Sequence, residues 1–417
     1  MAGSNRTTTR FRLAIVASHV IQYQGPLFQR LAACPEIDLT VFYCSDQGLS
    51  TYLDRGFGKK IAWDVPLLDG YQFEFVPNRS PFPDPSRPAG LMNPGLIRRI
   101  RHGGFDAVWV HGWANLSAWI AMIAAFSARV PVLMRGETNL IQVVPGWKRP
   151  LKRLLLKNLF GCVAGFLAVG RYNREFYQDF GVETDRIFLV PYAVNNQLFL
   201  AQANRHLGRK ADLRRQLSLP ADTVTILFSG KLIPQKSPMD VLLALERLPN
   251  REQFSLVYLG DGPLRAQLEA RARALGMKNV VFAGFQNQTL LGGYFAAADI
   301  FVLPSRFERW GLVVNEAMCF GLPVVVSDQV GAAGDLVQDN GLVYPAGDIN
   351  ALTGCLARLA GDEELRRSMG QASRAKIEQW SYEEDCQGVL QALRAVTAPR
   401  PESATLHQAR EVVVINR

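Results

Sequence analysis

Two glutamates, Glu308 and Glu316, stand in the stretch SRFERWGLVVNEAMCFGLPVVVSD with seven residues between them. Pro304–Trp310 reads as the loop after an apolar strand, IFVLPS, and Gly311–Phe320 as a helix closed by Gly321. A strand end and a helix start therefore meet, which is where open α/β sheets bind ligands. The unpaired amides of Gly311, Leu312 and Val313 would face an anion there, assisted by the helix dipole. Glu316 lies more than one turn into the helix, where its carboxylate can accept from paired sugar hydroxyls. Taken alone, two Glu at this spacing are most often solvated. The flanking apolar strands and the Gly-Leu-Pro exit set this pair apart.

A second constellation is FSGKLIPQKSPMDVLLALERL. Strand TVTILFSG ends in Gly230, and Lys231 and Lys236 bracket a short loop before the next helix. Two ammonium groups over a strand-end loop suit a diphosphate, whereas in isolation they would read as surface lysines. YLGDGPLRAQLEARAR is a third strand–loop–helix, with Gly260 in its tight turn. Asp261 beside it reads as a turn or helix-capping residue rather than a ligand. His111 ends the strand AVWVHG; a lone His there is usually structural. Arg135, Glu137 and Asn139 in MRGETN follow the next strand and either line a cleft or form a plain polar strand exit.

These groups need a frame to position them. The 417 residues exceed one ordinary core and suit two domains of roughly 200 residues each. Strand-like and helix-like segments alternate, which argues for parallel α/β layers. RLAIVAS, LTVFYCS, AVWVHG, VPVLMRG, GFLAVG and RIFLVPYA form a first set of strands. TVTILFSG, FSLVYLGDG, VVFAGF, IFVLPS, LPVVVSD and GLVYPAGD form a second. The polar stretch Asn195–Pro220 marks the junction. Residues 46–94 read as loop-rich, a functional insertion or a mobile flap, and the tail from 398 to 417 as loosely attached.

Composition narrows the function classes. Hydrophobic residues make up 48%, so sizeable cores can form. The six Cys are scattered without a CxxC pair, which disfavours a disulfide scaffold or a Cys-based zinc site and points to a reducing cytosol. The N-terminus is a poor secretory signal, since Leu13–Ala17 is too short an apolar run. Residues 107–128 carry no Asp, Glu, Lys or Arg, but His111, Gly112, Asn115 and Ser117 split them into a buried strand and a helix rather than a membrane span. Net charge is +9, and the excess is regional: Met92–Glu175 holds twelve basic residues against three acids. Its densest part, residues 148–160, is a basic amphipathic stretch that suits an anionic membrane face, or a surface helix with one buried side. Nucleic acid is not expected as a partner, because no binding motif accompanies the charge.

Together these motifs resemble the GT-B glycosyltransferases, specifically glycosyltransferase family 4 (glycosyl transferases group 1). The resemblance rests on Gly230-Lys231 with Lys236, Gly260-Asp261-Gly262-Pro263, Pro304-Ser305-Arg306-Phe307-Glu308-Arg309-Trp310-Gly311 with Glu316-Ala317, and Gly321-Leu322-Pro323-Val324-Val325. It is strong over 224–348 and weaker over 11–191. It implies two Rossmann-like domains facing across a cleft: 1–195 for the acceptor, 196–375 for the donor. A helix at 376–397 would cross back to the first domain. It implies retaining transfer from a nucleotide-diphosphate sugar (a UDP- or GDP-sugar) to a hydroxyl acceptor, with no cofactor and no metal; the basic stretch and the cysteine usage add the expectation of a glycan or lipid-linked acceptor met in the cytoplasm or peripherally at its membrane face. By the same resemblance His111, Lys231, Lys236 and Glu308 serve catalysis, while Gly25, Gly230, Gly260, Gly311, Leu312, Val313 and Glu316 bind the donor. Arg135, Glu137 and Asn139 would face the acceptor.

Three departures stand out. Lys231 replaces the usual Arg and loses its bidentate geometry. Arg309-Trp310 replaces a small-aromatic pair, and the first loop has a single Gly25 where many members have Gly-Gly. A nucleotide-sugar epimerase or other GT-B enzyme, a glycosidase using the two glutamates, and a non-catalytic nucleotide-sugar binder are the competing readings.

Overall fold

A computed structural model describes residues 10–54, 56–141 and 149–398. The first sheet contains β1 (Phe11–Ala17), β2 (Ile37–Tyr43), β5 (Gln72–Phe75), β6 (Ala107–His111), β7 (Val132–Arg135), β8 (Gly165–Ala168) and β9 (Ile187–Leu189). Its order is β5-β2-β1-β6-β7-β8-β9, parallel throughout. The second contains β10 (Val224–Ser229), β11 (Phe254–Leu259), β12 (Val280–Gly284), β13 (Ile300–Leu303), β14 (Val324–Ser327) and β15 (Gly341–Tyr344). Its order, β12-β11-β10-β13-β14-β15, repeats the same doubly wound plan, again parallel. Helices cover both faces of each sheet, so most strand residues are buried and the strands read as continuous apolar runs. Each sheet reverses direction beside its first strand, and the two switch points carry the loops after β1, β6, β10 and β13.

Residues 46–94 depart from the loop-rich expectation. They hold a short antiparallel hairpin, β3 (Tyr52–Asp54) with β4 (Lys59–Ile61), and then β5, which extends the first sheet. The hairpin reaches the second domain. Phe57 packs edge-on against Phe285 at 4.9 Å, Asn287 Nδ2 donates to the Ala62 carbonyl at 2.6 Å, and Lys59 pairs with Asp261. Asp261 thus ties the domains together and also accepts from the Gly262 amide.

The junction helices Asn196–Arg205 and Lys210–Gln216 pack on the second domain. Phe199 is buried in that core, and Arg214 bonds the Ala297 carbonyl and Asp299. The chain returns to the first domain through the helix Tyr382–Thr397, which starts at Ser381 in a capping box with Glu384. Its buried face, Val389, Ala392 and Leu393, joins the core of Leu13, Trp109 and Leu167.

Residues 107–128 are a strand and a twelve-residue helix, Leu116–Ser127, and among the described residues no helix is long and apolar enough to cross a membrane. Of the basic stretch 148–160, Lys148 and the side chains of Arg149, Leu151 and Lys152 lie outside the described residues, as does the tail after residue 398. In the helix Arg149–Cys162, Leu156, Leu159 and Phe160 face the core while Leu154 and Leu155 are each 59% exposed.

Candidate active site

The loops at the two switch points enclose a cavity of about 410 Å³ between the domains. Gly230, Lys231, Lys236, Gly260, Glu308, Gly311, Leu312, Val313 and Glu316 all line it. The local folding explains this convergence. Gly260 lets the loop after β11 touch the loop after β10: a Cβ at Gly260 would lie 2.0 Å from the Gly230 carbonyl oxygen. Gly311, at φ +98°, turns the chain sharply into the helix Leu312–Cys319 and leaves that helix's first amides facing the cavity. Lys236 closes a one-turn helix and is followed by Ser237 at φ +47°, a left-handed bend that few non-glycine residues adopt. The Arg306 amide bonds the Gln235 carbonyl at 2.8 Å, joining the lysine loop to the Glu308 loop. The Glu308 amide and carbonyl are fixed by Gln329 and Gly331.

Lys231, Lys236, Glu308 and Glu316 in this cavity are each partnered. Lys231 Nζ lies 2.9 and 3.0 Å from the two oxygens of Asp54 on the hairpin. Lys236 Nζ pairs with Glu308 Oε2. Glu316 Oε1 accepts from the Tyr23 hydroxyl at 2.8 Å, across from the first domain. Burial, with Lys231 nearby, pulls the Lys236 ammonium down to about 8, a shift the adjoining Glu308 carboxylate opposes. Burial pushes the Glu316 carboxyl up to about 7, against the hydrogen bond from Tyr23.

A second cavity, of about 370 Å³, opens on the first-domain side and is bordered by Tyr23, Glu137, Tyr192 and Arg309, which also border the first. His111 lines this second cavity rather than the first. Burial and the neighbouring Arg135 push its imidazole down to about 3, so it is neutral at physiological pH. Arg135 lines it as well, but its guanidinium is largely committed: Nη2 bonds the carbonyls of Val190 at 3.2 Å and Pro191 at 3.0 Å and approaches Asp385 Oδ1 at 3.4 Å. Glu137 accepts from the Tyr192 hydroxyl at 2.8 Å and borders both cavities. Asn139 lines neither; its amide nitrogen donates to the Arg309 carbonyl at 3.1 Å.

Gly25 is also absent from both linings. It sits in the helix Gln24–Ala32, where a Cβ would lie 2.7 Å from the Leu67 carbonyl oxygen, so its small size serves packing. Trp310, the second residue of the Arg309-Trp310 departure, is almost wholly buried, stacks between Tyr192 and Trp380, and bonds Asn315 at 3.0 Å. Arg309 beside it is exposed at the shared rim. Sequence reasoning missed Tyr23, Asp54, Tyr192 and Asp385. The available signal was for Tyr23 alone: an aromatic in the loop after the first strand, at a switch point. Among the described residues, no cluster of three His, Cys, Asp or Glu side chains is arranged to hold a metal ion.

Comparison with known proteins agrees with this architecture. A family model described as glycosyl transferases group 1 matches residues 209–376, and one described as a glycosyl transferase 4-like domain matches residues 62–193. A D-inositol 3-phosphate glycosyltransferase of Xylanimonas cellulosilytica is 30% identical over 326 residues, covering 74% of this chain and 76% of that protein. A GDP-mannose-dependent monoacylated α-(1-6)-phosphatidylinositol monomannoside mannosyltransferase of Corynebacterium glutamicum is 30% identical over 296 residues, covering 68% and 75%. The crystal structure of Anabaena HepE in complex with UDP superposes with a TM-score of 0.70 at 18% identity, over 92% of this chain and 100% of that one. The chain belongs to the glycosyl transferases group 1 family and is a glycosyltransferase of the GT-B fold.

Proposed function

We propose that the enzyme moves a hexose from a nucleotide-diphosphate sugar to a hydroxyl of a glycan or lipid-linked acceptor, with retention at the anomeric carbon. The observation that carries this reading is the convergence of Lys231, Lys236, the Gly311 turn and Glu316 on one cavity at a sheet switch point. The names of the relatives support a glycolipid or related glycan product, and HepE was solved with UDP.

In this mechanism the bond from the anomeric carbon to the diphosphate oxygen breaks as the acceptor oxygen bonds that carbon on the same face. The acceptor proton passes to the departing phosphate oxygen. Negative charge grows on the diphosphate, and the two ammonium groups with the amides of Leu312 and Val313 stabilise it without a required divalent ion. Glu316 takes the ribose hydroxyls and Glu308 those of the sugar. His111, neutral, lines the second cavity, so it meets the acceptor rather than the donor sugar. The second cavity takes the acceptor, and the shared rim of Tyr23, Glu137, Tyr192 and Arg309 is where the two substrates meet.

The reaction is placed at the cytoplasmic membrane face, supported by the exposed Leu154 and Leu155 beside the exposed Lys157. Flotation with phosphatidylglycerol-containing liposomes at low salt checks that placement, and absence of binding removes it. The central test is a thermal-shift panel of UDP-, GDP- and ADP-sugars, since a ligand that binds only the native state raises its melting point. One donor class should give a shift that Glu316→Ala abolishes. An unchanged shift in that variant would overturn the ribose assignment. NMR of the product glycoside reads retention or inversion directly.

A further inference from the structure

The second cavity has an unusual floor. Four residues of its lining each hold one buried side-chain atom without a hydrogen-bond partner: Gln24 Oε1, His111 Nε2, Arg135 Nε and Asp385 Oδ2. They come from four separate elements: the first helix of the acceptor domain, the ends of β6 and β7, and the crossing helix. Orphaned buried polar atoms are rare in folded proteins, and their gathering at one cavity calls for a ligand with polar atoms to match. Asp385 is the least expected member. It is fully buried on a helix whose other inward residues are apolar packing groups, and its Oδ1 faces Arg135 while Oδ2 remains free.

The geometry points to Asp385 as an acceptor-binding residue, one that selects an uncharged, hydroxyl-rich ring for the floor of the cavity. Gln24 Oε1 and an ionised Asp385 Oδ2 only accept hydrogen bonds, and a hydroxyl can donate to either. Arg135 Nε can donate back to a hydroxyl oxygen. A phosphate has no proton to offer at alkaline pH and would meet the Asp385 carboxylate head-on. A charged substituent on the acceptor is instead met at the mouth, where the exposed Arg309 stands. The acceptor thus enters with its neutral face first. This assignment rests on the transferase reading of the two cavities, and it adds the crossing helix to the residues that choose the acceptor.

Asp385→Asn keeps an oxygen for Arg135 while replacing the free acceptor atom by a donor. Calorimetry on the full chain with UDP or GDP, and then with myo-inositol, methyl α-glucopyranoside and their monophosphates at pH 8.5, tests the idea. At least one neutral polyol should bind the native protein. Asp385→Asn should weaken that binding at least tenfold while nucleotide affinity stays within twofold. Should that variant fail to fold, Gln24→Met serves in its place, with a several-fold loss of polyol binding expected. Binding of neither neutral polyol, or equal binding by native protein and variant, overturns the assignment. Failure of the native protein to bind either nucleotide would count instead against the transferase reading.

Discussion

Asp54 and Lys231 belong to different domains, yet the aspartate grips the lysine with both oxygens, at 2.9 and 3.0 Å. The hairpin carrying Asp54 wraps the ammonium closely. A Cβ on Gly56 would lie 2.9 Å from Nζ, and the Phe57 ring centre is 5.0 Å from it. A carboxylate thus occupies the position where a departing diphosphate would need the cation. Any diphosphate that reaches Lys231 must compete with Asp54.

The competition sets the first prediction. A partly exposed ion pair of this kind is worth about 1 kcal/mol. Asp54→Asn should therefore tighten UDP or GDP binding roughly fivefold by calorimetry. Equal or weaker binding would mean that the hairpin helps to hold the nucleotide rather than opposing it.

Glu316 links pH to both stability and binding. Its carboxyl stands at about 7 in the fold against an ordinary 4.5, because burial disfavours the charged form. A raised acid binds its proton more tightly when folded. Its cost to stability is therefore absent below about pH 4.5, builds between 4.5 and 7, and is complete above 7. The full cost is on the order of 3 kcal/mol. Glu316→Gln, which can still accept from Tyr23, should melt several degrees higher than the native enzyme at pH 8 and at the same temperature at pH 4.5. The same variant should bind nucleotide at least tenfold more weakly at pH 8. The native-minus-variant difference in affinity should shrink as pH falls through 7.

Lys236 is tested by rate. If the half-buried Lys236 ammonium stabilises the leaving group as proposed, Lys236→Ala should lower kcat by about 10² to 10³. The effect on the Michaelis constant for the donor should be smaller, because the charge grows mainly in the transition state. Native turnover should persist in EDTA if the two lysines carry the compensation, as proposed. A rate that collapses with chelator and returns with Mg²⁺ would refute that division of labour.

The sheets were legible because parallel strands buried on both faces leave uninterrupted apolar runs such as FSLVYL and IFVL. The donor-side loops were legible for a related reason: Gly230, Gly260 and Gly311 punctuate those runs where the chain must bend. The hairpin at 52–61 was not. Its strands are three residues long, and Lys59-Lys60-Ile61 shows no alternation. Its partners Phe285, Asp261 and Lys231 are some two hundred residues away in sequence. The partners of Arg135 were hidden in the same manner. Arg135 reads as either a cleft residue or a polar strand exit, but the groups that hold it are the carbonyls of Val190 and Pro191 and the carboxylate of Asp385, which lies 250 positions later. Gly25 is expected at the donor only through the resemblance to the Gly-Gly of the family's first loop, whereas contact with Leu67, in a segment with no readable pattern, determines its size.

The crossing helix offers a last test, of packing rather than chemistry. Gly388 lies inside the helix, where glycine ordinarily costs about 1 kcal/mol relative to alanine. Here a Cβ would stand 1.9 Å from the Leu189 carbonyl oxygen of β9 and 3.0 Å from Val190 Cγ2. Both neighbours belong to a strand and its exit that cannot retreat without disturbing the first sheet. Gly388→Ala should therefore destabilise despite its better helix propensity, by about 1–3 kcal/mol of overpacking strain. The helix would lift from β9, and Asp385, one turn earlier on it, would shift away from Arg135. Differential scanning calorimetry should show a Tm several degrees lower, and hydrogen exchange should speed up over residues 382–397 more than over the second sheet. A variant as stable as the native protein would show that the helix seats less tightly on β9 than this contact requires.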